Sequence, residues 1–141
     1  MAIQRQLHLP TVIFTHQRNC KFNVNFEALL DSRNDTFVTA TANGTISLWG
    51  NGRISKSFDC DGLVPLIKVV HQDIIVVSRQ GKLLVLDTKL NVTKRYDTIN
   101  DVPWSLSATR KYIAIGTHGN EVIFYNRNGS TEPRVRIKLR K

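Results

Sequence analysis

Three times along the chain an apolar run meets a turn of small polar residues, and a second apolar run follows. The segments Phe37–Gly50 (FVTATANGTISLWG), Ile74–Asp87 (IIVVSRQGKLLVLD) and Ile113–Asn126 (IAIGTHGNEVIFYN) align without a gap. Short runs of Val, Ile, Leu and Thr punctuated by Gly and Asn predict strands joined as hairpins. The continuous run Ile74–Val77 predicts a strand buried on both faces. After each hairpin comes an alternating segment, RISKSF, NVTKRY or RVRIKL, which predicts an outer strand half open to water. Before each comes another apolar run, VNFEALL, VPLIKVV or VPWSLSA. Each unit therefore reads as four short antiparallel strands, and no stretch sustains a helical period.

The alignment turns single residues into repeat positions. Thr41, Ser78 and Thr117 coincide, as do Trp49, Leu86 and Tyr125. Gly44 falls on Gly81; the third copy has Asn120 there, with Gly119 beside it, which predicts a turn glycine shifted by one. Ile54 and Phe58, Val92 and Tyr96, and Val135 and Leu139 form pairs of equal spacing in the outer segments. Four strands in about forty residues is the period of a propeller blade.

The segment TANGTISLWG resembles the SxDGTIxLWD stretch of WD40 repeats. It keeps Thr41 as the strand hydroxyl, Gly44 and Thr45 in the hairpin, and Trp49. It departs at Asn43 and at Gly50, where the family carries Asp. The second copy keeps Ser78 and Asp87 but has Leu86 for Trp; the third keeps Thr117 but has Tyr125 and Asn126. No copy has the Gly-His dipeptide, so the family's His–Ser/Thr–Asp–Trp tetrad is incomplete in every blade. The resemblance implies an all-β fold, a β-propeller built from three four-stranded antiparallel WD40-like blades. The expected division is residues 1–21 as an N-terminal arm or extra strand, 22–62 as blade 1, 63–101 as blade 2 and 102–141 as blade 3.

Propellers carry four to eight blades. Three blades leave an apolar face at each end, so the chain is expected to be a half-propeller or part of a larger one. Further blades come from a longer protein, from a homodimer, or from another chain in a larger complex. The segment TVIFTHQRNCKF holds an apolar run, Val12–Phe14, that is either a strand completing a neighbouring blade or a surface arm.

The chemistry of the remaining residues narrows function by exclusion. His8, His16, His71 and His118 are too scattered for a zinc pattern, and neither a phosphate-binding loop nor a nucleophile elbow occurs. Asp59 and Asp61 flank a turn, DCDG, and read as solvated. The expectation is a non-catalytic chain with no cofactor and no metal. Cys20 and Cys60 do not make a disulfide framework and read as free thiols of a reducing compartment. The start, MAIQRQLHLP, lacks the features of a secretory signal and no apolar run is long enough for a membrane helix, so a cytoplasmic or nuclear location is expected. The sequons at Asn34, Asn43, Asn91 and Asn128 read as turn asparagines.

The 141 residues carry a net charge of +9. The C-terminal run RVRIKLRK concentrates it in Arg134, Arg136, Lys138, Arg140 and Lys141, mainly on one face of an alternating strand. That strand is a candidate anion-binding edge for RNA phosphates or acidic lipids, or a solvated edge whose charges oppose aggregation. In WD40-like propellers the b–c turns and d–a loops share one rim that often binds partners; the resemblance places Asp61, Arg79, Asn100 and His118 there. The leading expectation is an interaction scaffold for protein partners. The alternative is a nucleic-acid-associated module of a ribonucleoprotein.

Overall fold

The computed structural model describes residues 24–28, 36–60, 62 and 66–140. The expectations that fall on the N-terminal arm, Cys20, Asp61 and Lys141 lie outside the described residues. Blade 1 contains β1 (Val24–Ala28), β2 (Phe37–Thr41), β3 (Thr45–Gly50) and β4 (Arg53–Asp59). Blade 2 contains β5 (Leu66–Val70), β6 (Asp73–Val77), β7 (Leu83–Leu86) and β8 (Val92–Arg95). Blade 3 contains β9 (Pro103–Ala108), β10 (Tyr112–Thr117), β11 (Glu121–Asn126) and β12 (Pro133–Lys138). Each blade is one antiparallel sheet with its strands in chain order, here called a to d. The inner strands β1, β5 and β9 lie side by side, so the sheets fan out from one line. The described residues contain no helix.

The apolar runs are continuous because successive side chains point to opposite faces and meet different neighbours. In β6, Ile74 and Val76 pack with Val38, Ala40 and Ile46 of blade 1. Ile75 and Val77 pack instead with Leu106, Ile113, Ile115 and Ile123 of blade 3. Each of these buried Val, Leu and Ile side chains contributes about 1.5–3 kcal/mol relative to exposure. We call the face toward the preceding blade near, and the opposite face far. Strand β8 alternates between half-buried and exposed residues, as its sequence predicts, whereas β4 and β12 are open to solvent over most of their length.

The repeat hydroxyls close turns and do not serve the strand-c aromatic. Trp49 Nε1 donates to Thr39 Oγ1 at 3.0 Å, not to Thr41. Thr41, Ser78 and Thr117 instead staple the b–c turn. Each side-chain oxygen accepts the backbone N–H four residues on, from Thr45, Lys82 and Glu121, at 3.2–3.3 Å. Each carbonyl also accepts the N–H three residues on, from Gly44, Gly81 and Asn120. The hydroxyl recurs because it closes a turn, as Ser and Thr side chains do near backbone amides.

The turn glycine is not shifted in blade 3. Asn120 itself takes the left-handed conformation, φ 63°, where Gly44 has 99° and Gly81 has 89°. Asn reaches that region at little cost. Gly119 has another role: a Cβ there would meet Asp101 Oδ2 at 2.5 Å, so that carboxylate would have to shift.

The outer strand of blade 3 also sits two residues out of the expected register. Ile46 faces Phe58, and Val122 faces Ile137 rather than Leu139. Leu139 takes the place of Cys60 and Ile99: each donates its N–H to the carbonyl of the left-handed turn residue, Asn120, Gly44 and Gly81 respectively. An alternating segment looks the same after a shift of two, so RVRIKL does not fix its own register. All three c–d ladders carry a bulge at the same place. In blades 1 and 2 the extra residues are Ser55 and Thr93, whose hydroxyls donate to the carbonyls of Leu48 and Val85, both at 3.2 Å. In blade 3 the extra residue is Arg134.

Candidate functional site

Antiparallel order puts the b–c turns and the d–a loops at the same end of every blade, which defines one rim. Backbone bonds tie the two together: Cys60 N–H to Gly44 O, Ile99 N–H to Gly81 O and His118 N–H to Val102 O. Arg79 and His118 are exposed on the b–c turns of blades 2 and 3, and Asn100 is exposed in the loop between β8 and β9.

The rim of blade 3 is the most elaborated part. Asp101 clasps it, its Oδ1 accepting the Val102 N–H at 2.7 Å and its Oδ2 the Gly119 N–H at 3.1 Å. The Val102 N–H, then the Thr117 hydroxyl, hold this carboxyl below the usual carboxylate range. A bulge in the β9–β10 ladder pairs Ser105 with Gly116 but Pro103 with Thr117, leaving Trp104 as the extra residue. Bulges re-aim side chains near functional surfaces. Trp104 is 68% exposed, and its ring meets His118 edge to face, 5.8 Å between centroids. So the structure brings His118 and Trp104 together, over a loop fixed by Asp101.

Sequence reasoning missed Trp104, although a trace of it was present. The segments VPLIKVV and VPWSLSA align one residue out of step with the hairpins that follow them. That single extra residue is the bulge.

The basic strand is less uniform than its alternation predicts. Arg136 pairs with Glu121, Nη1 to Oε1 at 2.8 Å. Arg134, extruded by its bulge, lies over the Tyr112 ring at 5.7 Å, away from the face that Arg136 and Lys138 share. Lys138 and Arg140 are exposed. Among the described residues no group of three His, Cys, Asp or Glu side chains is placed to hold a metal ion. No helix among them is long and apolar enough to cross a membrane.

No family model matches the chain, and no curated protein matches it in sequence. Solved structures do match in shape. The chain is similar to the WD40 β-propeller domain of Doa1, with TM-score 0.69 and 24% identity over 82% of this chain and 40% of that one. It is similar to Raptor from Chaetomium thermophilum, with TM-score 0.64 and 15% identity over 82% of this chain and 12% of that one. The computationally designed protein Ika8 matches at TM-score 0.68 and 14% identity, over 79% of this chain and 36% of that one. The chain thus spans less than half the length of each. Together with the three sheets, these likenesses show the fold: an all-β, WD40-like β-propeller architecture of which the described residues form three blades.

Proposed function

We propose that the chain is a non-catalytic β-propeller scaffold that holds protein partners on its b–c rim and is completed by further blades. The observation that carries this reading is Trp104, an exposed indole extruded by a bulge and propped by His118. Large aromatic side chains dominate binding energy where they anchor an interface. The clasp at Asp101 supports the same reading, because a rigid loop loses little conformational entropy when a partner binds. Arg79 and Asn100 extend the surface along blades 2 and 3.

Affinity capture with the purified chain and with a Trp104→Ala variant tests the proposal. The expected result is that stable partners of the parent are recovered at least about tenfold less with the variant, while far-UV circular dichroism is unchanged. Equal recovery would remove the rim from the reading. Absence of any stable partner, alongside turnover of a substrate, would remove the scaffold.

The alternative, a nucleic-acid-associated module, draws on the net charge of +9 and on exposed Lys138 and Arg140. It is the weaker reading, because Glu121 already engages Arg136 and Arg134 lies on Tyr112. RNA binding that weakens steeply with salt would favour it.

A further inference from the structure

Six large apolar side chains are exposed among the described residues, and four belong to one surface. Tyr112 (38%), Val135 (42%), Ile137 (45%) and Leu139 (52%) occupy the far face of blade 3 and the loop that continues it. A fifth, Ile54 (51%), belongs to the opposite terminal surface, the near face of blade 1. These are the two blade faces that no other described blade covers.

The repeat says what such a face does inside the chain. Tyr112, Val135, Ile137 and Leu139 stand where blade 2 has Asp73, Lys94, Tyr96 and Ile99. In blade 2 those positions grip the next blade. Asp73 pairs with Arg127. Lys94 Nζ donates to Arg127 O at 3.2 Å, and Tyr96 Oη donates to Asn126 O at 2.7 Å. In blade 1, Lys56 Nζ reaches the c–d turn of blade 2 at Asn91 Oδ1, 3.3 Å. Each internal interface therefore has an apolar centre and a polar tether to the c–d turn of the following blade. Blade 3 has replaced every tether with an apolar side chain.

A matching change occurs at the other end. The c–d turns of blades 2 and 3 are long, spanning Asp87–Asn91 and 127–132. Blade 1 turns instead on Asn51 and Gly52 alone, both left-handed at φ 52° and 80°, so a tether has little to reach. Its near face presents the stacked rings of Phe37 and Trp49, 6.0 Å apart, beside exposed Ile54. The hydroxyls on that face are satisfied within it, Thr39 by Trp49 and Ser47 by Ser57 at 3.1 Å. A face whose partner needs no tether and a face that offers no anchor for one are complementary.

Resting on the scaffold reading above, we infer that a second copy of the chain supplies the missing blades. The far face of blade 3 seats on the near face of blade 1 of the partner copy, and the same contact recurs across a twofold axis. Two such contacts close a ring of six blades, within the four to eight that propellers use. Of the charged side chains on β12, Arg134 lies over Tyr112 on the far face while Arg136 and Lys138 share the opposite face, so along this strand two chains of net charge +9 meet where charge is sparse.

Sedimentation equilibrium of the full chain tests this, with twice the 16.0 kDa chain mass expected. Ile137→Lys and Ile54→Lys alter the two halves of one contact, and each is expected to raise the dimer dissociation constant about 30-fold or more. Mixing Ile137→Lys with an Ile54→Glu variant is expected to recover dimer, because the mixed pair keeps one contact with both isoleucines intact and sets Lys against Glu in the other. Lys138→Gln, on the opposite face of the same strand, is expected to leave the mass unchanged. A folded monomer overturns the inference. So does a dimer broken by Ile137→Lys but not by Ile54→Lys, and so does a mixture that stays monomeric. Partner capture through Trp104 is read out separately, so a monomer that still loses partners on Trp104→Ala leaves the rim standing.

Discussion

Blades 2 and 3 share a backbone plan and differ in how completely they are enclosed. In blade 2 both sheet faces are covered, and β6 and β7 are buried almost throughout. In blade 3 burial alternates along β10, because only its near face meets another described blade. The difference reaches individual side chains. Tyr96 is 7% exposed and hydrogen-bonded across the interface, whereas Ile137 at the same position is 45% exposed. One position can thus be a polar rivet or an apolar patch, and the neighbour decides which is stable.

The largest effect that separates the two blades is expected at the turn position they share. Gly81→Ala places a Cβ 2.1 Å from Ile99 O in a backbone at φ 89°. The strain and the clash with backbone are expected to cost roughly 3 kcal/mol. Asn120→Gly at the equivalent site, where a side chain is already accommodated, is expected to change stability by less than about 1 kcal/mol. Chemical denaturation of both variants checks the pair, and equal losses would break the equivalence.

A middle-sized effect is expected at the interface between the blades. Tyr96→Phe removes the bond to Asn126 O and is expected to cost about 1–2 kcal/mol. Burial pushes the Tyr96 phenol up from 10.0 to about 12, so the fold favours its neutral form. Its stabilisation is full below pH 10 and is lost as pH rises toward 12. Thermal melts across that window are expected to fall more steeply for the parent than for Tyr96→Phe. Parallel curves would mean that another group carries the alkaline transition.

The smallest effect has the opposite sign. Tyr125 fills the Trp49 position and meets Tyr96 edge to face at 5.3 Å. Its buried hydroxyl has no hydrogen-bond partner among the described residues. Tyr125→Phe is therefore expected to stabilise the protein by about 1 kcal/mol, since an unsatisfied buried hydroxyl is costly. A loss of stability would show that the hydroxyl has a partner after all.

The propeller architecture was legible in the sequence because local chemistry repeats with it. A hydroxyl residue, a left-handed turn residue and a large apolar residue recur at fixed intervals, as in Thr41, Gly44 and Trp49. Each is dictated within one hairpin, by a staple, a φ angle and a packing volume. The register of β12 was not legible, because an alternating pattern is unchanged by a shift of two residues and the bulge at Arg134 leaves no compositional mark. The rim was legible as turns, but the bulge that thrusts out Trp104 appeared only as a one-residue discrepancy between two alignments.

By itself the sequence determined that the chain folds as repeated four-stranded sheets, since strand periodicity and turn geometry are set by neighbouring residues. Only the tertiary structure decided that Thr39 rather than Thr41 serves Trp49, that Asp101 clasps the turn carrying His118, and that Val135 and Ile137 replace a lysine and a tyrosine. Those facts depend on which strands lie opposite each other and which faces are covered. That information lies in contacts between residues distant along the chain, and a local pattern does not carry it.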